Sequence, residues 1–516
     1  MHQLIPQMSI EQKVGQLIVV GFEGARINAD MKSNICQHFV GGVTLFARNI
    51  QSPRQVARLT NDLQKLTQET EHQIPLFIAM DQEGGWVARL KTGATVLPGN
   101  MALGAARSTE LAEHAGTITA IELGAVGVNL NFAPVIDVNN NPRNPVIDRR
   151  SFGECPDLVS RFGCAYIKGL QQNGVLATAK HFPGHGDTTV DSHTDLPTVG
   201  HDAERIRTVE LKPFRAAIEA NVGAIMTAHI VYPTLDANRP ATLSRPILTN
   251  LLREELGFDG LVVTDDMEMK AIDERYRTGE AAVMAIEAGA DMALTLWRYR
   301  NQREVFNALV SAVKSGRISE DKINQSVERI LKYKKAFRVF DWEDATSTNA
   351  IGSVGSGAHR RIAATIAEHA ITMVQNRSGI LPLNSNMTPL VISSSSLLFN
   401  LLRVRYANCV SARIPEEPDA EAVLPRLVLQ ADTADVVIVG ISNNRQAELI
   451  NRLDTNTETP IIVAAFGSPF SLRRCSNVSA SLAAYDSHFE SVLAAVKVMV
   501  GESDAPGKLP IRLTLG

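Results

Sequence analysis

Aromatic residues make up only 5% of the 516 positions, and cysteine occurs five times. The five (Cys36, Cys155, Cys164, Cys409 and Cys475) are scattered, odd in number and without C-x-x-C spacing. That argues against a disulfide framework or a cysteine-rich zinc site, and the thiols read as reduced. No apolar run is long enough to span a bilayer, so no membrane partner is expected. The N-terminus, M-H-Q-L-I-P-Q-M-S-I-E-Q-K, lacks a basic region leading into an apolar one. It does not read as a secretion signal, and a cytoplasmic location is expected. Basic runs are also missing, and the formal net charge of −4 argues against a nucleic-acid partner.

What is present is a globular composition, 45% apolar and 21% charged, in a chain too long for a single core. From the N-terminus, short apolar runs alternate with amphipathic helical stretches. The runs are Gly15–Phe22, Gly42–Leu45, Leu76–Met80, Gly127–Pro134, Val175–Ala179, Ala224–Ala228, Leu261–Thr264 and Met292–Leu296. Strands alternating with helices imply a parallel sheet, and eight units in about 300 residues fit a closed (β/α)8 barrel better than an open sheet. A helical stretch at Asp321–Val339 closes this barrel, so residues 1–340 form the first domain. Small and polar residues then mark 341–357 as a linker. Residues 358–516 read as a smaller α/β sandwich domain, with a helix at Ala358–Val374 and apolar runs at Leu390–Ile392, Val436–Val439 and Ile461–Ala465. This part has no G-x-G-x-x-G or phosphate loop, and no second catalytic set.

A barrel places its chemistry at the C-terminal ends of the strands. Polar residues do gather there. The third run ends in D-Q-E-G-G-W-V-A-R, with Asp81, Glu83 and Arg89; the fourth leads into a loop with Asp137, Arg149 and Arg150. The fifth ends in Lys180-His181 and opens the most polar stretch of the chain, K-H-F-P-G-H-G-D-T-T-V-D-S-H. Four of the twelve histidines lie between His181 and His201. The sixth run ends near His229 and the seventh in T-D-D, with Asp265 and Asp266.

A carboxylate such as Asp265 at a strand end can be a nucleophile, an acid or a metal ligand. Adjacent residues on a strand face opposite sides, so one of Asp265 and Asp266 is expected to point into the site. Asp191 stands two residues before His193, close enough to hold the ring and raise its basicity, so that the imidazole can give and take a proton. Lys180, His181, Arg89, Arg150 and Asp81 suit a polyhydroxylated ligand, whose buried hydroxyls all need partners. Trp86 reads as either an apolar platform or core. His181 and His185 have the i, i+4 spacing of a helical metal pair, but Pro183 and Gly184 break the helix that such a pair needs.

With D-Q-E-G-G upstream and V-V-T-D-D-M-E-M downstream, the K-H-F-P-G-H-G-D…D-S-H string resembles glycoside hydrolase family 3, in its β-N-acetylglucosaminidase branch. The resemblance implies a two-domain enzyme with Asp265 as nucleophile and the His193–Asp191 pair as acid/base. It places Asp81, Arg89, Arg150, Lys180 and His181 on the sugar. It implies no metal and no organic cofactor, and a retaining release of terminal N-acetylglucosamine from muropeptides in peptidoglycan recycling, or from chito-oligosaccharides. The alternatives are a phosphorylase using the same residues and, further off, a metal-dependent hydrolase. The protein is expected to be a monomer or homodimer.

Overall fold

The computed structural model describes residues 4–192, 194–343, 345, 351–377 and 379–514. Eight parallel strands close into a barrel: β1 (Ile18–Val20), β2 (Gly42–Leu45), β3 (Phe77–Met80), β4 (Leu130–Asn131), β5 (Leu176–Phe182), β6 (Ala224–Thr227), β7 (Leu261–Asp266) and β8 (Met292–Thr295). Closure is visible at β1, which pairs Val19 with Gly42 of β2 on one side and Ile18 with Ala293 of β8 on the other. Six of the predicted runs contain their strand, and β5 and β7 run past theirs, to Phe182 and Asp266. They form because short runs of Val, Ile, Leu and Ala are buried on both faces, one against the barrel interior and one against the surrounding helices. The shortest is β4, because Ala133-Pro134 interrupts the ladder soon after Asn131.

The helices between strands start where the sequence supplies caps. Ser9, Ser52, Ser108 and Ser319 each accept a backbone N–H of their first turn. Between β5 and β6, the stretch from Asp202 to Ala220 has the pattern of one helix but is broken. Its middle is wound wider, with Leu211 N–H donating to Ile206 O five residues back, before the helix resumes at Lys212–Glu219. Helix Glu320–Ala336 comes last in the barrel. Among the described residues no helix is long and apolar enough to cross a membrane.

A six-stranded sheet follows, made of β9 (Thr372–Asn376), β10 (Pro389–Ser393), β11 (Val410–Arg413), β12 (Val436–Ile441), β13 (Ile461–Ala465) and β14 (Ala480–Ala483), in the order β9-β14-β13-β12-β10-β11. All neighbours are parallel except β9 against β14. Helices cover both faces, which makes the sandwich. One expectation needs correcting: the helix read as Ala358–Val374 ends at Ala370. Thr372 to Asn376 leave it to pair with β14, because the β-branched residues Thr372 and Val374 gain more from the ladder than from another helical turn.

The two sheets share packing. Met101, Ala102 and Ala105, on the barrel-side helix Asn100–Ala106, are buried in the same apolar cluster as Val437, Val463 and Tyr485. The turn after β4 and the loop after β13 also touch: Ser468 Oγ donates to Asp148 Oδ1 at 2.7 Å.

Candidate active site

The C-terminal ends of the barrel strands surround a cavity of about 760 Å³. Asp81, Arg89, Arg150, Lys180, His181, Asp191 and Asp265 all border it. Seven of the eight residues expected in the site are thus brought together. The eighth, His193, lies outside the described residues.

Lys180 is the hinge of the arrangement. As the fifth residue of β5 it is buried, with Nζ 2.8 Å from Asp81 Oδ1 and 2.7 Å from Glu83 Oε1. Arg150 reaches Glu83 with two bonds, Nε to Oε2 at 3.0 Å and Nη2 to Oε1 at 2.8 Å. Arg89 stands 3.8 Å from Asp81. Burial alone would raise the Glu83 carboxyl, but Arg150 and Lys180 hold it well below the usual carboxylate range. The same contacts outweigh burial for the cations, keeping Arg150 and Lys180 charged. Two buried cations and two carboxylates, fixed by bidentate geometry, form a rigid polar floor.

Beside it lies a second network. Asp137, fully buried, accepts the backbone N–H groups of His181 and His185 on Oδ1, at 3.1 and 2.7 Å. Its Oδ2 is 2.8 Å from His181 Nδ1. Burial pushes this carboxyl up, but the His181 imidazole and the amides hold it below its ordinary value. His185 is pushed down to about 4, by burial first and by His181 second, and is neutral near pH 7. Its ring nitrogens meet Thr188 Oγ1 at 2.9 Å and Ser192 Oγ at 3.2 Å. Thr188 Oγ1 donates to His185 O, so Nδ1 carries the ring proton and Nε2 accepts from Ser192. The loop that carries Asp191 is therefore tied to the barrel through the serine that follows it. Among the described residues no group of three His, Cys, Asp or Glu side chains is placed to hold a metal ion.

The T-D-D strand end departs from expectation in one respect: Asp265 and Asp266 both border the cavity. The β7–β8 register shifts there, with Met292 opposite Val263 but Leu294 opposite Asp266, so strict alternation no longer applies. Their environments differ instead. Asp266 is buried, and its Oδ1 accepts the backbone N–H groups of Glu268 and Leu296. Burial, then Glu268 and Asp265, push its carboxyl up to about 8, so it is neutral at pH 7. Asp265 is half-buried, and its Oδ1 accepts the Asp266 N–H at 2.8 Å.

Arg149 and Arg150 also part company. Arg150 enters the floor, whereas Arg149 lies 5.0 Å over the ring of Trp86, which is 59% exposed at the cavity mouth and not core. Sequence reasoning assigned no role to the opposite rim, where Arg48 stacks 4.1 Å over Trp297 and 4.5 Å over Phe46. Those three come from the ends of β2 and β8, with no shared motif to group them.

A closed parallel barrel with its carboxylates and cations gathered at the C-terminal mouth is the architecture of a barrel enzyme acting on a polar small molecule. Residues 9–333 match the glycosyl hydrolase family 3 N-terminal domain. A β-hexosaminidase A from Pseudoalteromonas piscicida is 41% identical over 379 residues, covering 69% of this chain and 63% of that protein's length. The structure of a family 3 β-N-acetylglucosaminidase from Paenibacillus sp. str. FPU-7 superposes with a TM-score of 0.93 at 40% identity, over 99% of this chain and 100% of that one. A β-glucoside phosphorylase superposes at 0.86 with 25% identity, over 100% and 95%. The chain belongs to glycosyl hydrolase family 3.

Proposed function

We propose that the protein is a retaining exo-β-N-acetylhexosaminidase that removes a terminal N-acetylglucosamine. The observation that carries this reading is Asp265, half-buried at the end of β7, bordering one cavity with Asp191 and with the Lys180–Arg150 floor. In this reading Asp265 attacks the anomeric carbon while His193, oriented by Asp191, protonates the departing oxygen. The glycosyl-enzyme then breaks down as His193 takes a proton from water. Asp81, Arg89, Arg150, Lys180 and His181 hold the sugar hydroxyls and so position the reacting carbon. The neutral Asp266 spares Asp265 a second negative neighbour. The names of the hexosaminidase and N-acetylglucosaminidase relatives support the substrate. A cytoplasmic role on peptidoglycan fragments or chito-oligosaccharides belongs to the same proposal.

The test is hydrolysis of p-nitrophenyl β-N-acetylglucosaminide, with the anomer of the first product read by NMR. Asp265→Ala should lower kcat by at least about a thousandfold, and the β-anomer should appear first. Near-normal turnover in that variant, or an α-anomer first, refutes the assignment. EDTA sensitivity would point to metal-dependent hydrolysis instead. The phosphorylase neighbour makes phosphate the alternative acceptor. Accumulation of N-acetylglucosamine 1-phosphate in phosphate buffer would establish that outcome.

A further inference from the structure

The cavity is polar and enclosed at its floor and aromatic at its mouth. On the floor, the side chains of Asp81, Glu83, Arg150 and Lys180 are between 2% and 18% exposed. The chain has three tryptophans, and two of them border this one cavity while largely exposed: Trp86 at 59% and Trp297 at 49%. Large apolar rings left in water beside a polar pocket mark a surface that a ligand covers. Trp297 is already occupied, with Arg48 over its ring at 4.1 Å and Phe46 at 5.1 Å. Trp86 has Arg149 farther off, at 5.0 Å, and is the more exposed of the two.

Trp86 is also held still. It follows Gly84 and Gly85, and Gly85 has a φ of +57° with its Cα pressed against Gly99. A Cβ on Gly85 would stand 2.8 Å from Gly99 Cα and 3.3 Å from Asp486 Oδ2 of the second domain. Arg149 is braced from the same side, its Nη1 donating to Phe466 O at 3.4 Å. An exposed ring on a buttressed turn loses little freedom when a ligand lands on it.

We propose that Trp86, with Arg149 beside it, is the platform on which the leaving group's own sugar ring stacks, so that the enzyme selects a pyranose aglycone. This rests on the hydrolase reading above. A pyranose offers a face of C–H groups to the indole, and its edge hydroxyls can accept from the guanidinium. The second domain contributes by fixing the platform, through Asp486 behind Gly85 and Phe466 behind Arg149.

The experiment compares two substrates that share the transferred sugar. N,N′-Diacetylchitobiose carries a pyranose leaving group, whereas N-acetyl-β-glucosaminyl fluoride carries none. Trp86→Ala should lower kcat/KM on the disaccharide roughly tenfold, mostly through KM, and leave the fluoride within about twofold. Trp86→Phe should recover most of the loss. An unchanged disaccharide rate, or an equal loss on both substrates, overturns the platform and leaves the hydrolase reading standing. A wild-type protein that cleaves neither substrate overturns both.

Discussion

Replacing Glu83 by Gln tests whether the polar floor depends on charge or only on hydrogen bonds. The substitution keeps the shape and one acceptor oxygen. It removes the carboxylate that Arg150 grips twice and that Lys180 touches at 2.7 Å. Lys180 and Arg150 are 3% and 12% exposed, so water cannot take over the lost charge. Asp81 and Asp137 would be the anions left facing the cations, and the new amide would turn an N–H toward one of them. Breaking a buried pair by removing one partner costs about 3–5 kcal/mol, and the retained shape puts this variant near 3. The Glu83 carboxyl is held below its ordinary value, so its stabilisation is present above the unfolded value of about 4.3 and lost as pH falls below it. At about 1.36 kcal/mol per unit, and with the unfolded carboxyl half protonated at its own value, the gap between wild type and variant should narrow by about 1.4 kcal/mol between about pH 4.3 and pH 3. Urea unfolding followed by circular dichroism across that range measures it. Equal midpoints at pH 7, or a gap that does not change in acid, would refute the charge argument.

Asp266→Asn should become more stable relative to wild type, by several kcal/mol, as pH rises from 4 to 8. A carboxyl raised to about 8 contributes its full stability below the unfolded value and loses it as pH climbs through the folded one, whereas the amide keeps the acceptor for Glu268 N–H and never ionises. Thermal melts at pH 5 and pH 9 check the sign. Lys334→Met should raise stability, most of all below pH 7. Lys334 is fully buried, meets Gln16 Oε1 at 2.8 Å, and is pushed down to about 7 by burial, so its stability is lost as pH falls from about 10.4 through 7. An advantage that persists undiminished at pH 10 would count against this. Gly85→Ala forces a Cβ onto Gly99 in a left-handed conformation. It should raise KM for the disaccharide more than for the fluoride, with equal effects on both as the contrary result.

The barrel was legible because each strand is a short apolar run ending in charge, and both halves of that pattern are local. The polar partners were only half legible. Glu83 and Asp137 stand out in sequence as acids at strand ends. That Glu83 binds Arg150 and Lys180, from the ends of β4 and β5, depends on barrel closure, which no spacing encodes. Asp265 and Asp266 illustrate the same limit: alternation predicts that one faces inward, but the pairing register shifts there and burial separates their roles instead. In the second domain β14, A-S-L-A, is too small and plain to mark a strand, and β11 is a partly exposed edge. Both exist because their neighbours pair with them. A second Asp-Ser-His, at Asp486 to His488, repeats the spacing of the first, and only the structure places it behind the Gly85 turn.

The helix Asn100–Ala106 is encoded in the barrel but finished by residues that come far later. Met101, Ala102 and Ala105 are buried with Tyr485 and Ile511. During synthesis at about 5–20 residues per second, this apolar patch waits roughly ten to thirty seconds after residue 340 for its cover to be made. Through that interval the barrel is a complete ring with an unfinished flank, and the nascent chain is most exposed to wrong partners there. Once covered, the two sheets have no apolar seam along which to part, so they should melt in a single cooperative transition.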